Sequence, residues 1–511
     1  MSLISTLARV EAAATGRARP LATVRHRHLA ERPMVLVPLT TAGEVGAPLG
    51  AMVGTDRDAP RLLVVPQPRD RTLRSAFLAE LAEAVLPHLE SAQDEVELQE
   101  RTEKDPGTGR RVKVEAELCA DAPQLVVPNT AGVAYVRLLG RSMRFRRTAE
   151  EEPDNPHPAP PRLPLLGRWL THYGERARVP GSSLLVAATE LLARHWATGQ
   201  SRLEDQHLGA LLAWITAPEG TSGAEAAHRA ELARGEDGLL LTPPAGPATD
   251  PAFDNRRLAP AVARYDAGLP GAEEEVRALV ATQLRPTWDA VWRALDLLRE
   301  LPPGARVADR WKRDRWSYTA HRDRLRAGEP PQPRRDDAVT AARKLAARET
   351  ALAELAAQEA LDDPLAMAER RLAGQAFAGE VTAVEMAYSA GKRPMPRPLV
   401  TVRTEDLPHL EEGVRVYRAL DDGRTQPGEF TGSPGPGLLT VRLTGGMGRA
   451  RTPEAGSVPE EGETVCWTLF EHAPRGGPDL PDPERTPWTH GGPPDPDALD
   501  APDPVTAEDL L

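Results

Sequence analysis

The chain has 511 residues, 75 acidic against 63 basic side chains, a formal net charge of −12 and an apolar share of 40%. That length predicts roughly three or four domains, and the apolar share is enough for real cores and excludes wholesale disorder. The acidic balance excludes a protein coated in phosphate contacts unless its basic groups are segregated.

Only five of the basic residues are lysine and only two residues are isoleucine, a bias that GC-rich coding explains. The arginine content by itself therefore carries no nucleic-acid argument. Cys119 and Cys466 lie far apart and support neither a disulfide framework nor a structural zinc site, which predicts a reduced, cytoplasmic setting. Leu3, Ile4, Leu7 and Val10 recur at helical spacing, without the unbroken apolar run of a signal peptide. No stretch reaches the roughly 18–20 apolar residues of a membrane span, so no membrane partner is expected.

Residues 1–150 read as a mixed α/β domain. Short β-type runs fall at 34–39 and 62–65, and an amphipathic helix is predicted over 73–89, with Leu73, Phe77, Leu81 and Leu89 on one face. The Asp-Pro-Gly-Thr-Gly string at 105–109 sits between two polar runs and predicts a hairpin turn. Residues 125–127 and 133–139 are further strand candidates.

Residues 151–161 hold five prolines in eleven positions, the signature of a stiff linker and a first domain boundary. Residues 162–335 are expected to form a helical domain. Helical periodicity covers 184–196 and 203–215, and Trp288 and Trp292 are spaced to share a helix face. That domain ends in a basic, aromatic segment at 306–326, with eight Lys/Arg against three Asp.

After a proline break at 330–333, residues 336–373 predict a long projecting helical arm. Asp336 or Asp337 can cap it, strong helix formers fill it, and its apolar stripe is thin: Val339, Leu345, Leu352 and Leu355. The Asp-Asp-Pro at 362–364 ends the first helix and starts a short second one. Five β-rich runs follow, at 379–386, 399–403, 414–418, 438–443 and 465–469, several alternating apolar with polar residues. Their spacing predicts a small β-barrel over 374–470. Residues 471–511 are proline-rich and acidic and predict a disordered tail. The expected fold class is thus an α+β multidomain chain.

The order long helix, short helix, barrel over about 338–470 resembles the stalk-and-barrel insert of superfamily-one helicases of the nonsense-decay type. The residues that carry the resemblance are the Ala-Gly-Gln-Ala-Phe-Ala-Gly-Glu-Val-Thr-Ala-Val-Glu run at 373–385 and the turn Gly-Lys-Arg-Pro-Met-Pro-Arg at 391–397. Glu-Gly-Val-Arg-Val at 412–416 and Glu-Gly-Glu-Thr-Val at 461–465 complete it. In that family the barrel leans over a nucleic-acid channel beside an ATP-driven motor. Here no loop ending in Gly-Lys-Ser/Thr occurs, and Ser-Ala-Gly-Lys-Arg at 389–393 lacks both the hydroxyl and the glycine spacing. The resemblance implies an accessory that works beside a helicase-type ATPase encoded separately.

The leading candidate surface is Arg310, Trp311, Lys312, Arg313, Arg315 and Trp316, where cations for phosphates alternate with rings on which bases stack. The bland alternative places Val307, Trp311, Tyr318 and Leu325 in a core with the arginines solvated. Lys392, Arg393 and Arg397 form a second candidate on a rigid loop. A third basic run, Arg137, Arg141, Arg144, Arg146 and Arg147 with Tyr135 and Phe145, reads as a charged hairpin edge. His26 and His28 share a strand face without an acidic or thiol partner and are expected at the surface. No catalytic motif and no cofactor site is recognised. The leading expectation is a non-catalytic component of a nucleic-acid-processing complex that contacts single strands. A protein–protein scaffold is the alternative, and a cryptic metal-dependent nuclease, with Glu115 and Glu117 as a carboxylate pair, is the second alternative.

Overall fold

The computed structural model describes residues 3–104, 110–390 and 394–474. The predicted turn at 105–109, the candidate residues Lys392 and Arg393, and the part of the predicted acidic tail beyond residue 474 lie outside the described residues. The chain is a mixed α and β protein that divides into two compact units. One comprises residues 8–21 and 25–345, the other residues 3–7, 22–24 and 346–474. Helix α1 is Leu3–Thr15, as the N-terminal spacing predicts.

The larger unit is built on strands β1 (Met34–Thr40), β2 (Pro48–Gly54) and β3 (Arg61–Val64), helix α2 (Arg71–Glu90), and the two-stranded ribbon β4 (Val96–Lys104) and β5 (Arg111–Cys119). There follow β6 (Leu125–Val127), α3 (Thr130–Met143), α4 (Leu163–Arg176), β7 (Leu185–Ala187), α5 (Ala188–His195), α6 (Leu208–Ile215), α7 (Ala272–Arg299) and α8 (Val307–Arg326). Five strands form one sheet in the order β3-β2-β1-β6-β7; β2 is antiparallel to its neighbours, while β1, β6 and β7 run parallel. Sheets with parallel strands are covered on both faces, so their strands read as continuous apolar runs, and β1 (Met-Val-Leu-Val-Pro-Leu-Thr) is buried at every position. Met34 and Leu36 point into one core with Phe77, Leu81, Tyr135, Leu166 and Trp169 from α2, α3 and α4. Val35, Val37 and Leu39 point into another with Leu191, Leu211, Val280, Trp288 and Leu295 from α5, α6 and α7. Trp288 and Trp292 share a buried face, as their spacing predicts, with rings 5.9 Å apart.

This layering corrects several expectations. The proline-rich run 151–161 does not separate two bodies: β7 lies beyond it yet joins the sheet of β1, and Ala159 N donates to the Arg147 carbonyl at 2.7 Å. A domain closed at residue 150 would leave one sheet face bare, and the helices after 162 cover it. Residues 133–139 are helical, within α3. Asn129 caps that helix by accepting from Gly132 N at 3.0 Å, and Tyr135, Val136, Leu139 and Met143 recur at helical spacing on its buried side. Residues 184–196 split into β7 and α5, because Leu185–Ala187 is drawn into the sheet beside β6.

Helices α3 and α4 approach closely through glycine. A Cβ built on Gly140 would sit 2.4 Å from Thr171 N, and one on Gly167 would sit 2.4 Å from Arg144 N. Both obstacles are backbone, which cannot swing aside.

The long helix α9 (Ala338–Asp362) begins after Asp337, whose carboxylate accepts from Thr340 N at 2.9 Å. Short helix α10 (Pro364–Leu372) follows with proline in its first turn. The thin stripe of α9 is not solvated throughout: Val339, Leu355, Ala357 and Ala360 are buried. In the smaller unit, Asp363 accepts from Leu365 N at 3.0 Å, from Thr23 N at 2.9 Å and from Thr23 Oγ1 at 2.9 Å.

Strands β8 (Ala376–Glu385), β9 (Leu399–Arg403), β10 (Arg415–Ala419), β11 (Thr425–Gly435), β12 (Leu438–Leu443) and β13 (Thr464–Thr468) close into a barrel in the order β8-β9-β12-β11-β10-β13. Phe377, Val381, Val400, Val402, Val416, Val441, Val465 and Trp467 fill it. The five predicted β-runs are all strands, and β11 is an additional one. Among the described residues, no helix is long and apolar enough to cross a membrane.

Replacing Gly140 or Gly167 by alanine is expected to force α3 and α4 apart at a cost of about 1–3 kcal/mol, read by calorimetry as a Tm lower by roughly 3–10 °C. An unchanged Tm would mean that the helix contact yields freely.

Candidate nucleic-acid interface

The basic, aromatic segment is the single helix α8; of its candidate residues Arg310 and Trp311 are buried, Arg313, Arg315 and Trp316 are half-buried, and Lys312 is exposed. Arg310 is buried and donates from Nη2 to the His26 carbonyl at 3.1 Å. Trp311 is 7% exposed, stacks on the His28 ring at 3.9 Å and donates from Nε1 to Asp121 Oδ1 at 2.8 Å. Lys312 reaches Gln99 Oε1 at 2.9 Å, and Arg315 donates to the Cys119 carbonyl at 2.8 Å and pairs with Glu97. Trp316 is half-buried under the Arg101 guanidinium, 5.2 Å from its ring centre, and Arg313 is half-exposed. Val307, Trp311 and Tyr318 are core, as the bland reading has it.

That reading also needs a correction, because the arginines of α8 are not uniformly solvated. Arg322 is 2% exposed, donating to the Gln93 carbonyl at 2.8 Å and pairing with Glu117 and Asp323. Arginine suits such places because its fork satisfies several acceptors while its stem packs against apolar neighbours. The expectation that Arg310, Trp311 and Arg315 grip a nucleic-acid strand is therefore corrected: their donors and faces serve the fold.

Asp314 is the hub of α8. It is 1% exposed and accepts from Ser183 N at 2.6 Å, Ser182 Oγ at 2.7 Å and Arg176 Nη2 at 2.7 Å. A buried carboxylate needs such a set of donors to offset its lost hydration.

His26 and His28, expected at the surface, lie against this helix instead. His26 is 4% exposed with its ring 6.0 Å from that of His195, and burial pushes His28 down to about 4, with Arg25 adding to that and Asp121 and Asp314 opposing it. Between α4 and α8, His172 and His321 stack at 4.2 Å with 3° between their planes, and Trp169 meets His321 edge-on at 4.7 Å. Burial holds both imidazoles neutral. His321 is pushed down to about 3, with Arg324 and Arg168 reinforcing the shift, and His172 lies well below its ordinary value, with His321, Arg176 and Arg324 reinforcing it.

The charged hairpin edge expected at 135–147 is corrected likewise. Tyr135 is buried in α3, and Arg144 is buried and donates from Nε to the Gln332 carbonyl at 2.9 Å. Arg137 pairs with Glu175 at 3.2 Å. Glu115 and Glu117 lie on β5, with Glu117 bonded to Arg322. Among the described residues, no three His, Cys, Asp or Glu side chains come together where a metal ion could be held.

Of the second candidate, Lys392 and Arg393 lie outside the described residues, and Arg397 stands on a hairpin that links β8 to β9. Ser389 N donates to the Met395 carbonyl at 2.8 Å, and Arg397 N donates to the Ala387 carbonyl at 2.7 Å. Tyr388, 45% exposed, lies on the same hairpin, and the Arg451 guanidinium sits 5.6 Å from its ring centre. Arg451 is exposed and Arg397 half-exposed. The accessible Tyr388 ring thus has one guanidinium, that of Arg451, over it, while Arg397 Nη1 donates to the Pro396 carbonyl at 2.8 Å. Sequence reasoning reached Arg397 and missed Tyr388 and Arg451, which lie 63 positions apart in the chain and meet only through the barrel. No family model, curated protein or solved structure gives a significant match to this chain.

The histidine pair sets a pH dependence. Both folded-state values lie below the ordinary value of about 6.5, so the unfolded chain binds more protons between that pH and the folded-state value. The associated stability is complete above pH ~6.5 and is lost as pH falls toward the low folded-state values, by about 1.4 kcal/mol per pH unit for each group. The urea midpoint is expected to fall from pH 7 to pH 5, and the His321→Phe variant to show a shallower fall. Equal slopes for the two proteins would remove His321 from this account.

Proposed function

We propose that the chain is a non-catalytic component of a nucleic-acid-processing complex, working beside a helicase-type ATPase encoded separately. The observation that carries this reading is the exposed Tyr388 ring under the Arg451 guanidinium, with Arg397 on the same hairpin, on a closed barrel that follows a long helix and a short one. A partly exposed ring supports sequence-tolerant stacking, and two guanidinium groups supply phosphate contacts to a single strand. The contact surface of this reading thus moves from α8 to the barrel. A second reading, a protein–protein scaffold without nucleic-acid contact, is favoured by the internal engagement of Arg310, Arg315 and Arg322.

Fluorescence anisotropy with labelled single-stranded DNA and RNA of mixed sequence tests the first reading. Binding at low salt is expected, with log affinity falling linearly as log salt rises. Tyr388→Ala combined with Arg451→Ala should weaken it by about tenfold or more. No binding at low salt, or binding untouched by those substitutions, would overturn it, and a protein partner retained through nuclease treatment and high salt would then favour the scaffold.

A further inference from the structure

Helix α9 carries an apolar stripe that its own fold only partly covers. Leu345 and Leu352 stand two turns apart on one face, and each is 57% exposed. Ala338 and Ala341 continue that face as exposed small residues, and half-buried Ala356 extends it toward the C-terminus. The spacing is set by the single continuous helix. Leucines seven residues apart, with alanines that let a second backbone come near, make the seam of a helix pair.

Charge along α9 says what fits that seam. The N-terminal half holds Arg343, Lys344 and Arg348, and the C-terminal half holds Glu349, Glu354, Glu359 and Asp362. A second α9 laid antiparallel places basic half against acidic half at both ends. About a two-fold axis passing between Arg348 and Glu349, Leu345 of one chain meets Leu352 of the other, Ala341 meets Ala356, and Arg348 meets Glu349. Each of these pairings occurs twice, as an isologous interface requires. A parallel pair would oppose like charges along the whole length, which is destabilising. We propose that α9 is a self-association surface whose occupant is the α9 of a second copy of this chain, docked antiparallel in this register.

Two leucine layers on one helix make a small interface, so the dimer is concentration-dependent and not permanent. Sedimentation velocity of the full chain over about 1–100 µM should show a monomer–dimer equilibrium. Leu345→Asp combined with Leu352→Asp, at exposed positions that the folded monomer tolerates, should leave monomer alone at every concentration, with an unchanged circular dichroism spectrum. Arg348→Glu should weaken the dimer about tenfold by opposing glutamates at both crossings. Adding Glu349→Arg to it should restore the dimer, since the double exchange recreates each pair with its signs reversed. A wild-type chain that is monomeric throughout, a dimer indifferent to the leucine substitutions, or a double exchange that fails to rescue would each overturn the proposal.

Discussion

Strand β1 has no side that faces water, and that constraint organises the larger unit. Its alternate residues enter two different cores, so neither face can be left to solvent. Helices α2, α3 and α4 cover one face, and α5, α6 and α7 the other. The second set comes from sequence well beyond the proline-rich run, so that run stays inside the unit despite its linker composition. At about 25 cal/mol per Å² of apolar surface removed from water, a seven-residue strand buried on both faces outweighs the local preference of an eleven-residue run that holds five prolines.

Helix α8 shows how a basic segment can act as an internal fastener. Its arginines end on the carbonyls of His26, Gln93 and Cys119 and on the carboxylates of Glu97 and Glu117. Asp314 runs the traffic the other way, taking donors from α4 and from Ser182 and Ser183. Buried ionic groups of this kind stabilise little by being present, yet they are costly to leave half-paired. Their main effect is to fix where α8 lies against the β4–β5 ribbon and the loop that carries His26 and His28.

Much of the architecture was legible from pattern alone. Alternation of Val400 with Val402 and of Val465 with Trp467 marks barrel strands, and the Asp-Pro at 363–364 marks the start of α10. Strand β11 was not, because its Gln-Pro-Gly-Glu-Phe-Thr-Gly-Ser-Pro-Gly stretch is rich in strand breakers. The structure supplies the reason: a Cβ at Gly428 would meet Val441 Cγ1 at 2.6 Å and the Trp467 ring at 3.1 Å, so the glycine makes room for the tryptophan that fills the barrel. Residues 133–139 misread as a strand because Val133, Tyr135 and Val136 favour extended chain, whereas the cap at Asn129 and the contact with α4 decide for a helix. The candidate site was half visible. Whether an arginine faces solvent or a carbonyl depends on chain segments about two hundred residues away, and no local window contains that information.

Asp363 and Thr23 leave their mark on how the smaller unit can come into being. The two residues are 340 positions apart, so on a ribosome adding about 5–20 residues per second, residue 23 waits roughly 20–70 s for the carboxylate it will hold. During that interval the Thr23 amide and hydroxyl are without the carboxylate they bond in the folded chain. The barrel and its two helices are thus not a portable cassette: a gene fragment beginning at α9 would inherit Asp363 without the threonine that completes it. Shuffling of this module between proteins would have to carry two separate stretches of DNA.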